Sequence, residues 1–299
     1  MKVPLKNVEG KTAFITGGAN GIGLGMAKVF HRAGMKVVIA DIRQDALDAA
    51  MREVPDSKRA HAIRLDVMDR AAMVRAADET ERVFGKVHLV CNNAGVNFFA
   101  QIDECTYDDW DWILGVNLGG VVNGVQTFTP RIKAHGEGGH IVNTASMASF
   151  IAGPSAGIYT AAKFAVRGLS ESLRWALRPH NIGVSVLCPG LVNSAIYRSD
   201  EIRPAALSKN VGHVDADFMK HLPEVQRLGM DPIEVAEKVL ACVKRNDFYI
   251  FPHPEFKEEL RGLFDEVLAA LPEGKADPKR LAFEEGRRRI MAKARAEQN

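Results

Sequence analysis

Residues 11–23 read KTAFITGGANGIG, an apolar run that leads directly into a glycine-rich turn. The run Lys11–Thr16 predicts a buried strand, and the residues from Gly21 to Gly34 predict a helix. Glycines permit a tight turn between the two, so the backbone can approach a phosphate group at the N-terminus of the helix. This stretch therefore predicts the first strand–turn–helix unit of a nucleotide-binding sheet.

The glycines of this turn are spaced G-x-x-x-G-x-G, which differs from the dinucleotide fingerprint G-x-G-x-x-G. The spacing alone leaves open an ordinary tight connection between a strand and a helix. Its position at the start of the first βαβ unit favours dinucleotide binding. The residues predicted to contact a dinucleotide here are Gly17, Asn20, Gly21, Ile22 and Gly23.

Short apolar runs alternate with longer amphipathic stretches along most of the chain. Strands are predicted at residues 11–16, 36–41, 62–66, 87–92, 140–145, 183–188 and 248–251, with helices at 21–34, 44–53, 69–84, 107–131, 155–178 and 231–245. The strands are almost entirely apolar, as a parallel sheet covered on both faces requires. The predicted fold is α/β, a doubly wound parallel sheet of the Rossmann type in a three-layer α/β/α arrangement.

Two segments depart from this alternation. Residues 194–228 are polar and lack a clear period, which predicts a long, mobile loop beside a substrate. Residues 1–251 are predicted to form the catalytic domain, and residues 252–299 a helical C-terminal extension. The extension begins with apolar residues at helical spacing, and this stripe requires cover from its own subunit or a neighbouring one.

Composition excludes several classes of protein. The 299 residues include 39 basic and 37 acidic side chains, a formal charge of +2, so neither nucleic acid nor a membrane surface is the expected partner. No apolar run is long enough for a membrane span. Four widely spaced cysteines predict reduced thiols in a cytoplasmic protein. His213 and His221 lack the carboxylate or cysteine partners of a metal site, and no metal is predicted.

Asp41 ends the second predicted strand, where a carboxylate can accept hydrogen bonds from both hydroxyls of an adenosine ribose. The same charge repels a 2′-phosphate, so NAD is the predicted cofactor. Arg43 could offset that repulsion and admit NADP, whereas Asn20 stands where a basic residue would favour the phosphate. The alternative for Asp41 is a helix N-cap.

Further motifs follow in a fixed order along the chain. An Asn-Asn-Ala-Gly sequence closes the fourth strand, a serine follows the next, a Tyr-x-x-x-Lys pair lies on the helix after it, and Pro-Gly follows the sixth strand: Asn92–Gly95, Ser146, Tyr159, Lys163, Pro189 and Gly190. Asn117 lies in a predicted helix among glycines, which are poor helix formers. In this ordered set the chain resembles the short-chain dehydrogenase/reductase family from about Leu5 to Phe251.

The resemblance implies a catalytic set of Asn117, Ser146, Tyr159 and Lys163. Tyr159 and Lys163 are four residues apart on one helix face, so the ammonium can favour the phenolate of a tyrosine whose ordinary pKa is about 10. Ser146 is expected to hydrogen-bond the reacting oxygen, and Asn117 to hold a water that links the lysine to solvent. The alternative for Tyr159 is a buried tyrosine with a satisfied hydroxyl.

The resemblance also implies further cofactor contacts. Asp66 and Val67 are expected beside the adenine, and Lys163, with Tyr159, at the nicotinamide ribose. The remaining expected contacts, on the ribose side and at the carboxamide, are Asn93, Ala94, Gly95, Pro189, Gly190, Val192 and Ser194.

Substrate contacts in such a fold come from segments beyond the carboxyl ends of the strands. Beside Ser146 and Tyr159, these segments offer Phe98, Met147, Phe150, Leu191, Ile196 and Tyr197. This rim predicts a hydrophobic, aryl secondary alcohol or the corresponding ketone, although each of the six can instead serve loop packing.

Within the family, the runs YDDWDWILGVNLGGVVNGV (107–125) and FYIFPHPE (248–255) resemble the enzymes that oxidise the benzylic Cα-hydroxyl of lignin-type β-aryl ethers. An NADPH-dependent carbonyl reductase and a non-catalytic nucleotide-sensing scaffold are the alternatives. Small residues on the helix of Tyr159 predict a homodimer or homotetramer, or else packing within the chain: Ala161, Ala165, Gly168 and Ser172.

Overall fold

The computed structural model describes residues 5–56 and 58–296, and within them seven strands form one sheet. The strands are β1 (Thr12–Thr16), β2 (Lys36–Asp41), β3 (Ala60–Arg64), β4 (Leu89–Asn92), β5 (Gly139–Thr144), β6 (Ile182–Leu187) and β7 (Tyr249–Ile250). Their order is β3-β2-β1-β4-β5-β6-β7, and every neighbouring pair is parallel. The predicted doubly wound parallel sheet is confirmed.

Ten helices accompany the sheet in the described residues. They are α1 (Gly21–Arg32), α2 (Gln44–Glu53), α3 (Arg70–Phe84), α4 (Tyr107–Leu114), α5 (Gly120–His135), α6 (Gly157–Leu177), α7 (Ala216–Arg227), α8 (Pro232–Arg245), α9 (Lys257–Ala269) and α10 (Pro278–Ala296).

Most strand residues are buried on both faces of the sheet, which explains why most of them are apolar. On β1, Phe14 packs against Phe128 of α5 with ring centroids 4.5 Å apart. Its neighbour Ile15 points to the opposite face, because side chains alternate along a strand, and joins a core that includes Phe30 of α1 and Val239 of α8. Two buried faces leave no position in β1 for a polar side chain other than threonine.

The predicted helix over residues 107–131 divides into two helices. Thr106 and Asp109 form a capping box at the start of α4, which satisfies the first free N–H groups. A π-helical turn at Gly115–Gly119 then joins α4 to α5. Such turns occur mostly at functional sites, and this one contains Asn117. The predicted strand at residues 62–66 begins and ends two residues earlier, as β3.

The segment at residues 194–228 contains more regular secondary structure than the loop that was predicted. Its first part forms short 3₁₀ turns, and α7 occupies its last part. Asp215 caps α7 by accepting hydrogen bonds from the N–H groups of Asp217 and Phe218. The helix buries Leu222 and Gln226, but Pro223 and the many charged residues obscure that pattern in the sequence.

The chain divides into two units, the first ending at His253 and the second beginning at Pro254. The second unit contains α9 and α10, so the helical extension is confirmed. Leu268 of α9 and Leu271, just after the helix, are 62% and 63% exposed, and cover for the apolar stripe therefore stays a prediction. In the described part of the chain, no helix has both the length and the apolar character that crossing a membrane requires.

Candidate active site

The site begins where the ends of β1 and β4 meet, at the point where the strand order reverses. The hydroxyl of Thr16 accepts hydrogen bonds from the backbone N–H groups of Asn93 and Ala94, at 2.9 and 3.1 Å. The Asn93 amide donates to the carbonyls of Thr16 and Gly17, at 3.2 and 3.3 Å. Nucleotides bind at such reversal points in α/β sheets, and the predicted residues Gly17, Asn93 and Ala94 are brought together here.

The glycine turn has the close backbone contacts expected of a phosphate-binding turn. Gly17 and Gly21 have φ values of +59° and +48°, which favour glycine. A Cβ on Gly23 would lie 2.0 Å from the Gly17 carbonyl oxygen, so only hydrogen fits there. A Cβ on Gly21 would lie 3.1 Å from the Cβ of Ser194. Two segments predicted to bind the cofactor therefore meet at the N-terminus of α1.

Asp41 lies at the end of β2, next to the glycine turn. Its carboxylate accepts hydrogen bonds from the N–H of Ala19 at 3.1 Å and of Arg43 at 3.2 Å. Burial raises the pKa of Asp41, and these backbone bonds oppose the rise. The N-cap of α2 is Arg43, not Asp41, and the Arg43 guanidinium pairs with Asp45. Asp41 is thus oriented toward the turn rather than serving as a cap.

Asp66 and Val67 follow β3 on the same edge of the sheet. The Asp66 carboxylate accepts from the N–H of Met68 at 2.9 Å, which closes a local turn. The Val67 carbonyl accepts from the Asn123 amide at 2.8 Å, and the Val67 side chain is buried. The two residues follow the carboxyl end of β3, and their contact with an adenine stays a prediction.

Tyr159 and Lys163 lie on one face of α6, with Lys163 Nζ 5.2 Å from the centroid of the Tyr159 ring. The ammonium donates to the carbonyl of Thr144 at 2.8 Å. Burial raises the pKa of Tyr159 to about 12, which a hydrogen bond with Ser146 opposes, and burial lowers the pKa of Lys163 to about 8. In the chain alone, burial therefore outweighs the expected effect of the neighbouring cation on the phenol.

Asn117 is fully buried beside this pair. Its side-chain oxygen accepts from the N–H of Val96, and its amide donates to the Val96 carbonyl, both at 2.8 Å. A Cβ on Gly95 would lie 3.3 Å from the Asn117 oxygen and 3.6 Å from Lys163 Nζ, so the three residues are adjacent. The side chain is therefore engaged in holding Val96, and a role toward a water stays a prediction.

The segment after β6 lies across from Ser146. The Pro189 carbonyl accepts from the Met147 N–H at 2.8 Å and from the Ser146 hydroxyl at 3.4 Å. Val192 pairs with Met230 in an isolated parallel bridge. These contacts bring Pro189, and with it Gly190, next to the loop that carries Ser146, whereas Val192 is joined to Met230.

The residues predicted to contact substrate occupy different environments. Phe98 and Met147 are buried, Leu191 is exposed, and Ile196 and Tyr197 are partly exposed in a 3₁₀ turn. Phe150 packs on the Arg167 guanidinium, 4.1 Å from its ring centroid, and near the rings of Tyr249 and Phe251. For Phe150 these contacts support the loop-packing alternative.

Sequence reasoning missed the buried polar residues that position α6. The Asn92 amide donates to Asn143 at 2.9 Å, and the Asn143 amide donates to Ser170 at 3.0 Å. The three side chains are at most 2% exposed. Buried polar groups need partners, so this chain of bonds fixes α6 relative to β4 and β5. The signal in the sequence was the polar Asn143 in a strand predicted to be buried on both faces.

A buried ion pair, also missed, holds the 3₁₀ segment against α4. Arg203 Nη1 lies 2.6 Å from Asp109 Oδ1, with side-chain exposures of 4% and 0%. The guanidinium also lies over the rings of Phe98 and Trp112. Burial opposes ionisation of Asp109, but bonds from Thr106 and Arg203 outweigh it and lower its pKa. The pair connects the segment after Ser194 to the rigid part of the fold.

Comparisons with known proteins identify the family of this chain. A family model described as short chain dehydrogenase matches residues 11–203. The chain is 43% identical over 277 residues to the C alpha-dehydrogenase of Sphingobium sp. strain NBRC 103272 / SYK-6, which covers 92% of this chain and 90% of that protein. The chain therefore belongs to the short-chain dehydrogenase/reductase family, and it is an oxidoreductase.

Two solved structures show the same fold over nearly the whole chain. A short chain dehydrogenase/reductase from Burkholderia phymatum in complex with NAD is 34% identical, with a TM-score of 0.84, over 91% of this chain and 99% of that one. The apo form of LigO from Sphingobium sp. strain SYK-6 is 43% identical, with a TM-score of 0.77, over 95% and 97%.

The buried pair yields a prediction about stability. Arg203→Met leaves the Asp109 carboxylate buried without its cation, so we expect the free energy of unfolding to fall by about 3 kcal/mol. Because the pKa of Asp109 is lowered, the stabilisation by this pair is present at neutral pH. It is lost as the pH falls below the ordinary pKa of a carboxyl group. Denaturant-induced unfolding measures the loss.

The matched control lies on the same segment. Arg198 and Glu201 pair at 2.6 Å but are 51% and 48% exposed, so Arg198→Met is expected to cost less than about 1 kcal/mol. Equal losses for the two variants would contradict the role given to the buried pair.

Proposed function

We propose that this protein oxidises a hydrophobic, benzylic secondary alcohol to the ketone in the cytoplasm, with NAD⁺ as hydride acceptor. The observation that carries the proposal is the convergence of Ser146, Tyr159 and Lys163 at one edge of the sheet. The relative named C alpha-dehydrogenase supports the choice of a benzylic alcohol. The four cysteines are free thiols, which supports a reducing compartment.

The residues around the crevice fit a dinucleotide. The glycine turn, with its positive φ angles, would hold a pyrophosphate at the N-terminus of α1. The Asp41 carboxylate beside the turn would accept hydrogen bonds from the adenosine ribose. Lys163 and the Gly190–Ser194 segment would hold the nicotinamide end, with Asn93, Ala94 and Gly95 on the ribose side. When bound, NAD⁺ supplies a hydride acceptor and a positive charge near Tyr159.

Three side chains then act on the alcohol. Ser146 donates a hydrogen bond to the substrate oxygen, on which negative charge develops as the hydroxyl proton leaves. Tyr159 accepts that proton as general base, and Lys163 stabilises the phenolate electrostatically. Because burial alone raises the pKa of Tyr159 to about 12, nearby positive charge has to offset the burial for the phenol to act.

Tyr159→Phe tests the reaction. Removing the hydroxyl removes the base while keeping the ring, so we expect kcat to fall by at least about 10²-fold, with NADH binding nearly unchanged. Benzylic and aliphatic secondary alcohols are supplied with NAD⁺, and formation of NADH is followed by absorbance. A variant that keeps most of the wild-type activity would contradict the mechanism, and a preference for aliphatic alcohols would contradict the substrate class.

The choice between NAD and NADP rests on Asp41 and Arg43. The Asp41 carboxylate repels a 2′-phosphate, and the Arg43 guanidinium that could offset this charge pairs with Asp45. This pairing disfavours the alternative of an NADPH-dependent carbonyl reductase.

We therefore expect a larger kcat/KM with NAD⁺ than with NADP⁺, and Asp41→Ala to narrow the difference by about tenfold, or about 1.4 kcal/mol. Initial rates with both cofactors measure this. Asp45→Ala is the control, because it removes the partner of the Arg43 guanidinium and leaves Asp41 in place. It should also narrow the difference in kcat/KM between NAD⁺ and NADP⁺. Equal wild-type efficiency with the two cofactors would refute the assignment.

The assembly proposed is a homodimer or homotetramer that uses α6. Ala161, Gly168 and Ser172 are exposed on this helix, which leaves a face of small residues open to close approach by another helix. We expect Ala161→Arg to lower the mass in solution, measured by light scattering at micromolar concentration, with Lys238→Arg on α8 as a charge-neutral control. A monomeric mass for the wild-type chain would refute this proposal.

A further inference from the structure

His253 follows β7 in the sequence run FPHPE, and its ring reaches back to the segment after β6. The N–H of Gly190 lies 3.1 Å from His253 Nδ1, and His253 Nε2 lies 2.9 Å from the carbonyl oxygen of Leu191. The side chain is only 6% exposed. Both ring nitrogens thus contact the backbone of two consecutive residues.

The two bonds define the state of the ring. A backbone N–H can only donate, so Nδ1 must be the acceptor and carries no proton. The proton of the neutral ring is then on Nε2, which donates to the Leu191 carbonyl. The imidazole therefore accepts a hydrogen bond from the N–H of Gly190 and donates one to the carbonyl of Leu191.

This contact completes the anchoring of an irregular segment. Pro189 is held by Met147 and Ser146, and the Leu191 carbonyl also accepts from the Met230 N–H at 3.0 Å. Gly190 lies between these anchors, and its N–H is held by the His253 ring. Without the ring, the Gly190 N–H would lose this acceptor.

We propose that His253 is a positioning residue that fixes the Gly190–Leu191 backbone against the nicotinamide half of the cofactor. The inference rests on the proposed function, in which this segment meets the nicotinamide. His253 acts through the backbone of Gly190 and touches no reacting atom itself.

The two bonds differ in importance. If the imidazole is removed, the Gly190 N–H loses its acceptor, whereas the Leu191 carbonyl keeps its bond from Met230. Leaving a donor unsatisfied costs more than weakening an acceptor that retains a partner. His253→Asn keeps an acceptor near the position of Nδ1, and His253→Gln keeps a donor near the position of Nε2. Asparagine should therefore preserve binding better than glutamine.

The test compares NADH with ADP-ribose, which lacks the nicotinamide. His253→Phe keeps an aromatic ring and removes both bonds, so its Kd for NADH should rise about tenfold, measured by calorimetry. Its Kd for ADP-ribose should stay within about twofold, because ADP-ribose lacks the nicotinamide against which the Gly190–Leu191 backbone is proposed to lie. The Kd of His253→Asn for NADH should stay within about threefold of the wild-type value. The Kd of His253→Gln for NADH should be higher than that of His253→Asn.

Four outcomes would overturn the proposal. Equal weakening of NADH and ADP-ribose would show a merely structural role, and unchanged NADH binding in His253→Phe would show no role. If His253→Phe does not fold, the NADH affinities of His253→Asn and His253→Gln decide. NADH binding by His253→Gln that is as tight as binding by His253→Asn would refute the inference. A wild-type chain that binds ADP-ribose but not NADH would instead refute the cofactor proposal, and this inference with it.

Discussion

The close approach of two backbones, at Gly17 and Ala94, is the constraint on which the site depends. A Cβ on Gly17 would lie 2.8 Å from the Ala94 Cα, so this contact exists only because residue 17 is glycine. Thr16 holds the contact by accepting two hydrogen bonds from Asn93, one at its hydroxyl from the backbone N–H and one at its carbonyl from the side-chain amide. Because these residues end β1 and β4, where the strand order reverses, the contact sets the floor of the crevice.

Buried polar groups carry that constraint from the sheet to α6, which contains Tyr159 and Lys163. Asn92, Asn143 and Ser170 form a continuous chain from β4 through β5 to α6, and Lys163 donates to the end of β5. A shift of α6 by one residue would break these bonds and leave buried amides without partners, at a cost of about 1–3 kcal/mol each. These bonds fix the position of α6 along its axis and thereby hold Tyr159 beside Ser146.

The irregular segments around the crevice have no ladder of strand hydrogen bonds to place them. Side chains do this instead, with His253 bonded to the segment after β6 and Arg203 joining the 3₁₀ segment to Asp109. Both side chains are buried, so their bonds are protected from competition with water. Residues far from the reacting atoms thus define the walls of the site.

The sequence by itself determined the fold, because strand periodicity and the glycine turn are patterns within a few residues of one another. Tyr159 and Lys163 were predicted as a catalytic pair through the ordered set of motifs that resembles a family, since their four-residue spacing alone is not specific. The π-helical turn and α7 were not predicted, since a mid-helix change of winding and an internal Pro223 interrupt the helical period. Only the tertiary structure decided the partners of Arg203 and His253. Gly190 and His253 are 63 residues apart in the chain, and no local preference specifies which distant backbone N–H a histidine ring will accept from.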